Sequence, residues 1–144
     1  SFCWMRKVRH AVPGFRRGFA SNRVLQAALA LDTDASFGEW EAVGRKALAQ
    51  APQLVAPELA LLLHCFTRAS LKPTTLVSTI GRELELKIPQ LDADGLGLVL
   101  SDLASLRVKD EGLVTVCGRR LVQQKQVNGD HLASLWRALV RCVG

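Results

Sequence analysis

Apolar residues recur along most of this chain with the spacing of amphipathic α-helices. Between positions 58 and 70, for example, Leu59, Leu62, Leu63 and Phe66 fall at i, i+3, i+4 and i+7, which is one face of a helix. The period-two alternation of half-buried strands is absent. The pattern therefore predicts an all-α chain with helices over 21–31, 37–50, 57–70, 74–87, 93–107, 110–125 and 130–142.

A motif made of an apolar residue, a glycine and an arginine occurs three times at intervals of 37 residues. Its copies are Val43-Gly44-Arg45, Ile80-Gly81-Arg82 and Cys117-Gly118-Arg119. Each interval holds two predicted helices, and helix pairs repeated at a fixed period are typical of α-solenoids. We therefore predict a solenoid of about three and a half helix-turn-helix repeats over residues 21–144. The apolar residue of the motif would face the core, and its glycine would allow close helix packing.

The last predicted helix, 130–142, has no second helix after it. Leu132, Leu135, Trp136 and Leu139 continue the apolar face of the earlier helices, so we predict that Trp136, like Trp40, lies in the core. A terminal repeat lacks a neighbour on its outer side. We expect that side to be a docking surface or the point at which a longer chain continues.

A second repeated pattern reads apolar-x-x-Pro/Asp-x-Leu-x-x-apolar-apolar-x-x-Phe/Leu and occurs over 54–66, 91–103 and 127–139. With its 37-residue period, it resembles the heptatricopeptide-like and octotricopeptide-like helical repeats of organellar RNA-binding proteins, including those that accompany RAP domains. The resemblance covers nearly everything after residue 21. It implies RNA binding, or a scaffold role in an organellar ribosome.

At 144 residues and 49% hydrophobic content, the chain has the size and composition of one folded domain. Its longest apolar runs, such as 59–63, are far shorter than the ~20 residues of a membrane-spanning helix, so we predict no membrane span. Cys3, Cys65, Cys117 and Cys142 are widely spaced. We interpret them as small core residues in a reducing compartment rather than as disulfides or metal ligands.

The net charge of +6 belongs to the N-terminal segment. Residues 1–31 contain six basic residues and no acidic one, whereas residues 32–144 contain thirteen of each. The six are Arg6, Lys7, Arg9, Arg16, Arg17 and Arg23. Pro13, Gly14 and Gly18 disfavour a continuous helix, so we predict that residues 1–20 form a retained, extended tail among RNA phosphates. The alternative contact for this tail is a neighbouring protein.

The same segment has the arginine-rich, acid-free composition of an organellar import sequence. Its stretch Arg17-Gly18-Phe19-Ala20-Ser21 resembles a cleavage site of the mitochondrial processing peptidase. We therefore predict localisation to the mitochondrial matrix. The alternative is a solvated basic tail that has no targeting function.

The arginines of the three-fold motif provide a second candidate contact with RNA. Neighbouring helices pack about 8–10 Å apart, so Arg45, Arg82 and Arg119 would form a line of guanidinium groups suited to phosphates. Lys46 and Arg120 extend this line. The alternative is a solvated face whose arginines pair with the nearby carboxylates, which are those of Glu41, Glu83 and Glu85.

The sequence lacks the common catalytic motifs. It has no phosphate-binding loop, no H-E-x-x-H and no nucleophile elbow, and Gly95-Leu96-Gly97 does not follow a strand. His64 and Cys65 are adjacent, but neighbouring residues on a helix do not face each other. We predict a protein that is not an enzyme and has no cofactor, metal or small-molecule substrate.

These features lead to one principal hypothesis and two alternatives. The principal hypothesis is a non-catalytic structural protein of a mitochondrial ribonucleoprotein, above all the mitochondrial ribosome, whose tail contacts rRNA and whose repeats contact neighbouring proteins. The first alternative is an accessory scaffold subunit of a mitochondrial protein complex, such as a respiratory complex, without RNA contact. The second is a free RNA-processing factor, for which about three repeats are too few to read a useful sequence code.

Overall fold

The structure is a computed structural model that describes residues 23–31, 33–125 and 127–143. The tail predicted over residues 1–20 lies outside this part of the chain. The described residues form seven α-helices and no strand, which confirms the all-α prediction. They are α1 (Arg23–Ala30), α2 (Phe37–Gln50), α3 (Ala56–Arg68), α4 (Thr74–Lys87), α5 (Ala93–Ser105), α6 (Glu111–Val122) and α7 (Gly129–Val143). Short 3-10 turns, Ala51–Gln53 and Ile88–Gln90, follow α2 and α4.

Four helices begin after residues whose side chains cap them, including α7, where Asn128 Oδ1 accepts from the His131 amide at 2.9 Å. Ser36 Oγ accepts a hydrogen bond from the Glu39 amide at 3.2 Å at the start of α2. Asp92 Oδ1 accepts from the Gly95 amide at 2.8 Å, and Asp110 Oδ1 from the Leu113 amide at 3.0 Å. Because these amides have no partner inside the helix, the caps define where α2, α5 and α6 begin.

Helices α3 and α5 each end two residues earlier than the apolar spacing predicts. Ser70 and Arg107 adopt left-handed backbone conformations, with φ of 57° and 56°. The amide after each of them bonds back to a carbonyl in the last helical turn, Leu71 N to Phe66 O at 3.0 Å and Val108 N to Leu103 O at 2.9 Å. This is the Schellman arrangement, which satisfies the final carbonyls and turns the chain out of the helix.

Helices that are two apart in the chain pack against each other. Helices α1, α3, α5 and α7 contact one another in this order and form what we call the first layer. Helices α2, α4 and α6 do the same and form the second layer. The two layers also contact each other, through α1 with α2, α3 with α4, α5 with α6 and α6 with α7. This order of packing is compatible with an α-solenoid.

One hydrophobic core lies between the two layers and extends from α1 to α7. Trp40 of α2 is buried and stacks at a tilt on Phe66 of α3, with ring centroids 5.2 Å apart, as predicted for Trp40. Cys65 and Cys117 are buried and unpaired, and Cys142 is partly buried, whereas Cys3 lies outside the described residues. No helix in the described part of the chain combines the length and hydropathy that crossing a bilayer requires.

The prediction that Trp136 belongs to the core is wrong, because 68% of this residue is exposed. Leu132 and Leu139 of the same helix are also exposed, while His131, Ser134 and Ala138 are buried. His131 Nε2 lies 2.7 Å from Asp94 Oδ1 of α5, and its ring lies against Gly97. These contacts turn the His131 side of α7 inwards, so that part of its apolar surface faces outwards.

Candidate nucleic-acid interface

The three-fold motif occupies corresponding positions on the three helices of the second layer. Its apolar residues, Val43, Ile80 and Cys117, are buried, as predicted. Residues that follow one another in a helix point about 100° apart, so the arginine two positions later points away from the core. The motif thereby places one arginine on the surface of each of α2, α4 and α6.

The glycines of the motif lie where a neighbouring helix approaches. A Cβ on Gly118 would lie 3.0 Å from Leu135 Cδ1 of α7, and one on Gly81 would lie 3.0 Å from Asp110 Oδ2 at the start of α6. A Cβ on Gly44 would make ordinary contacts of 3.7 Å with Leu76 and Phe66. The close approach expected of these glycines therefore exists at Gly81 and Gly118.

Arg45, Arg82 and Arg119 are exposed. Within the described part of the chain, none of them lies within 4.0 Å of a carboxylate. Glu83 instead pairs with Lys87 at 3.2 Å, and the carboxylate of Glu85 lies beside Gly112 at the start of α6. The positive charges of these arginines are therefore available to a ligand.

The other candidate cations occupy different surroundings. Lys46 is exposed beside Arg45, and Arg23 is the exposed first residue of α1. Arg120 is only partly exposed, and its Nε is buried without a hydrogen-bond partner among the described residues. It lines a polar cavity together with Asp92, Asp94, Lys125 and His131. Arg120 therefore faces carboxylates, unlike the three motif arginines. Arg6, Lys7, Arg9, Arg16 and Arg17 lie outside the described residues.

His64 contacts a carboxyl group of the neighbouring helix α5, and Cys65 is buried. His64 Nδ1 lies 3.1 Å from both oxygens of Asp102 on α5, so it joins two helices of the first layer. Burial, together with the nearby carboxyl group of Asp102, raises the pKa of the Cys65 thiol to about 12. A thiol with such a pKa holds its proton at neutral pH and is a poor nucleophile. No group of three metal-ligating side chains occurs among the residues described.

Sequence reasoning missed several polar links between packed elements, the His64–Asp102 pair among them, and two others are as follows. One is the His131–Asp94 contact between α7 and α5, whose residues are 37 positions apart. The other is Lys87 at the end of α4, whose Nζ donates to Pro52 O at 3.0 Å and to Leu54 O at 2.7 Å. The 37-residue spacing was the available signal, because it brings positions one period apart next to each other.

Comparisons with known proteins do not identify a family for this chain. No family model matches it, and a search of curated proteins finds no significant match.

Proposed function

We propose that this protein is a non-catalytic α-solenoid component of a mitochondrial ribonucleoprotein, specifically the mitochondrial ribosome. Its basic tail contacts rRNA first, and the motif arginines provide a second rRNA contact. Its helical repeats contact neighbouring proteins. The arginine-rich, acid-free composition of residues 1–31 supports both the mitochondrial matrix location and the RNA contact.

The solenoid reading is supported by agreement between sequence period and packing. The motif recurs every 37 residues, and its three copies lie on helices that contact one another in order. The left-handed residues Ser70 and Arg107 are also 37 positions apart and end successive helices of the first layer in the same way. Stacked helix pairs of this kind offer an extended surface, which suits binding better than catalysis.

In the described part of the chain, the observation that supports an RNA contact is the exposure of Arg45, Arg82 and Arg119. Each is exposed, and each lacks a carboxylate partner among the described residues. Helices in contact are about 8–10 Å apart, so three such charges on successive helices can follow a nucleic-acid backbone. Guanidinium groups bind phosphate oxygens with two parallel hydrogen bonds.

Salt-dependent RNA binding by the full chain tests this proposal. A short, labelled single-stranded RNA is titrated with wild-type protein and with a row variant carrying Arg45→Gln, Arg82→Gln and Arg119→Gln. Each lost phosphate contact lowers the slope of log affinity against log salt by about 0.7, so we expect the row variant to lower it by about 2. A tail variant with Arg6, Lys7, Arg9, Arg16 and Arg17 changed to Gln is expected to lower it by more.

The matched control carries the same number of charge losses at exposed positions outside the row, with Arg107, Lys109 and Lys125 changed to Gln. We expect its slope to stay close to that of the wild type. Equal loss in the control and row variants would show that only the net charge matters. An unchanged slope in both the tail and row variants would favour the alternative, a scaffold subunit without RNA contact.

A further inference from the structure

Helix α7 carries an apolar stripe on its outer side. Leu132, Trp136, Leu139 and Val140 are 49%, 68%, 39% and 49% exposed, and they fall at i, i+4, i+7 and i+8 along the helix. Side chains with this spacing lie on one face. Single exposed apolar residues are ordinary, but a contiguous patch with a polar border marks an interaction site.

The stripe borders a groove between α7 and α5. Its walls are Trp136, Arg137, Val140 and Arg141 on α7 and Ser101, Ala104 and Ser105 on α5. The side chains from α5 are small, so another helix can approach this wall closely. A helix seated here would contact both α5 and α7.

The polar border of the groove is positively charged. Arg137 and Arg141 are exposed, and no carboxylate lies within 4.0 Å of either in the part of the chain described. Arg137 Nη2 makes one hydrogen bond at 3.3 Å, to the neutral Ser134 hydroxyl of its own helix. A partner that lies along the stripe therefore gains most if it carries acidic side chains at its edge.

A second copy of this chain that packs antiparallel on α7 fits the stripe less well. If two α7 helices met antiparallel about Trp136, Arg137 of one copy would lie beside Arg137 of the other. Like charges placed side by side at an interface disfavour binding.

We propose that the groove between α5 and α7 binds an amphipathic helix of another protein, with its apolar face on Trp136 and acidic residues beside Arg137 and Arg141. This inference deepens the protein-contact part of the proposed function and does not depend on RNA binding. Helix-in-groove recognition of this kind is set by apolar anchors at i, i+3, i+4 and i+7. An exposed tryptophan at the centre is the residue type that most often dominates such contacts.

Three labelled peptides of about 18 residues, which span about 27 Å as helices, test the proposal with the full chain and no RNA. The first has leucines on one face and glutamates elsewhere. The second has lysine in place of every glutamate, and the third is a scrambled version of the first. We expect the first peptide to bind at least about tenfold more tightly than the other two, by fluorescence anisotropy at low salt.

Variants of the protein define the contact. Trp136→Ala is expected to weaken binding of the acidic peptide by about tenfold or more, and Leu86→Ala, at a residue of α4 that is 75% exposed, is expected to leave it unchanged. Arg137→Glu with Arg141→Glu is expected to reverse the preference towards the lysine peptide. Because Trp136, Arg137 and Arg141 are exposed, these changes test binding without removing core side chains.

Any one of several outcomes would overturn the proposal. One is equal binding of the acidic and lysine peptides, and another is binding that Trp136→Ala does not change. A peptide preference that the double charge reversal does not alter would also contradict it. So would a dimer, detected by light scattering, that Trp136→Ala abolishes, because that result would assign the stripe to a second copy. Binding to anionic vesicles without a peptide preference would assign it to a membrane surface and would also overturn it. Each result leaves the salt dependence of RNA binding untouched, so the two proposals fail separately.

Discussion

At the scale of single residues, the glycine of the three-fold motif has a different neighbour at each position. Gly44 has space for a methyl group, because its nearest contacts would be at 3.7 Å, whereas a Cβ on Gly81 would meet Asp110 Oδ2 at 3.0 Å. The carboxylate of Asp110 also caps α6 through its other oxygen. The same substitution should therefore have different effects at the two sites.

We expect Gly44→Ala to raise the free energy of unfolding by up to about 1 kcal/mol, because alanine favours the helix more than glycine does. Gly81→Ala should give no gain or a loss, since it displaces a cap worth about 1 kcal/mol. Urea unfolding followed by circular dichroism measures both values. Equal stabilisation by the two substitutions would contradict the close approach at Gly81.

A buried carboxyl links α3 to α5. Burial raises the pKa of Asp102, while its hydrogen bonds with His64 and Thr67 act in the opposite direction. The folded state therefore holds this proton more tightly than the unfolded chain, whose carboxyl titrates near 3.8. The resulting stability is present below that pH and is lost as the pH rises through the raised pKa.

Comparison with Asp102→Asn isolates this contribution. We expect the free energy of unfolding of the wild type, relative to Asp102→Asn, to be highest below pH 3.8 and to fall as the pH rises above it. A relative stability that rises with pH would show that the ionised carboxylate is the favoured form.

At the scale of helices, residues with positive φ end α3 and α5. Ser70 and Arg107 have side chains that disfavour the left-handed conformation, at a cost of about 1 kcal/mol each. Ser70→Gly and Arg107→Gly should each increase the free energy of unfolding by about 0.5–1 kcal/mol, because glycine adopts this conformation freely. Ser105→Gly, inside the last turn of α5, is the control and should decrease it. Destabilisation by both Ser70→Gly and Arg107→Gly would contradict the assignment.

The helices themselves could be predicted from the sequence, because apolar spacing and capping residues act locally. Helices α2 and α4 have the predicted bounds, 37–50 and 74–87. The Schellman ends at Ser70 and Arg107 could not be predicted in the same way, since neither residue is glycine. The orientation of α7 about its own axis was also missed. Apolar residues lie around so much of this helix that their spacing does not indicate which side faces the core. The contacts of His131 with Asp94 and Gly97 determine which side faces the core.

The candidate interface was predicted in part. The period was enough to place Arg45, Arg82 and Arg119 on successive helices. It did not indicate that Glu83 pairs with Lys87, or that Arg120 lines a cavity with carboxylates. Those contacts depend on side chains that meet across helices, which a one-dimensional pattern does not specify.

At the scale of the whole molecule, charge and apolar surface are separated. The excess positive charge lies in residues 1–31, while residues 32–144 are neutral. The three motif arginines lie on the helices of the second layer, and the apolar stripe lies on α7 of the first layer. In our account, the basic residues contact RNA and the stripe contacts a protein, so the molecule joins the two kinds of partner in one particle.

The central claim is tested most directly by crosslinking inside mitochondria, followed by mass spectrometry of the particle that contains this protein. We predict that peptides spanning Arg6 to Arg17 carry crosslinked nucleotides, and that nuclease or high salt weakens association with the particle. Peptides containing Arg45, Arg82 or Arg119 should carry nucleotides less often. Crosslinks from the tail to protein alone, with association that survives both treatments, would contradict the account and identify a scaffold subunit without RNA.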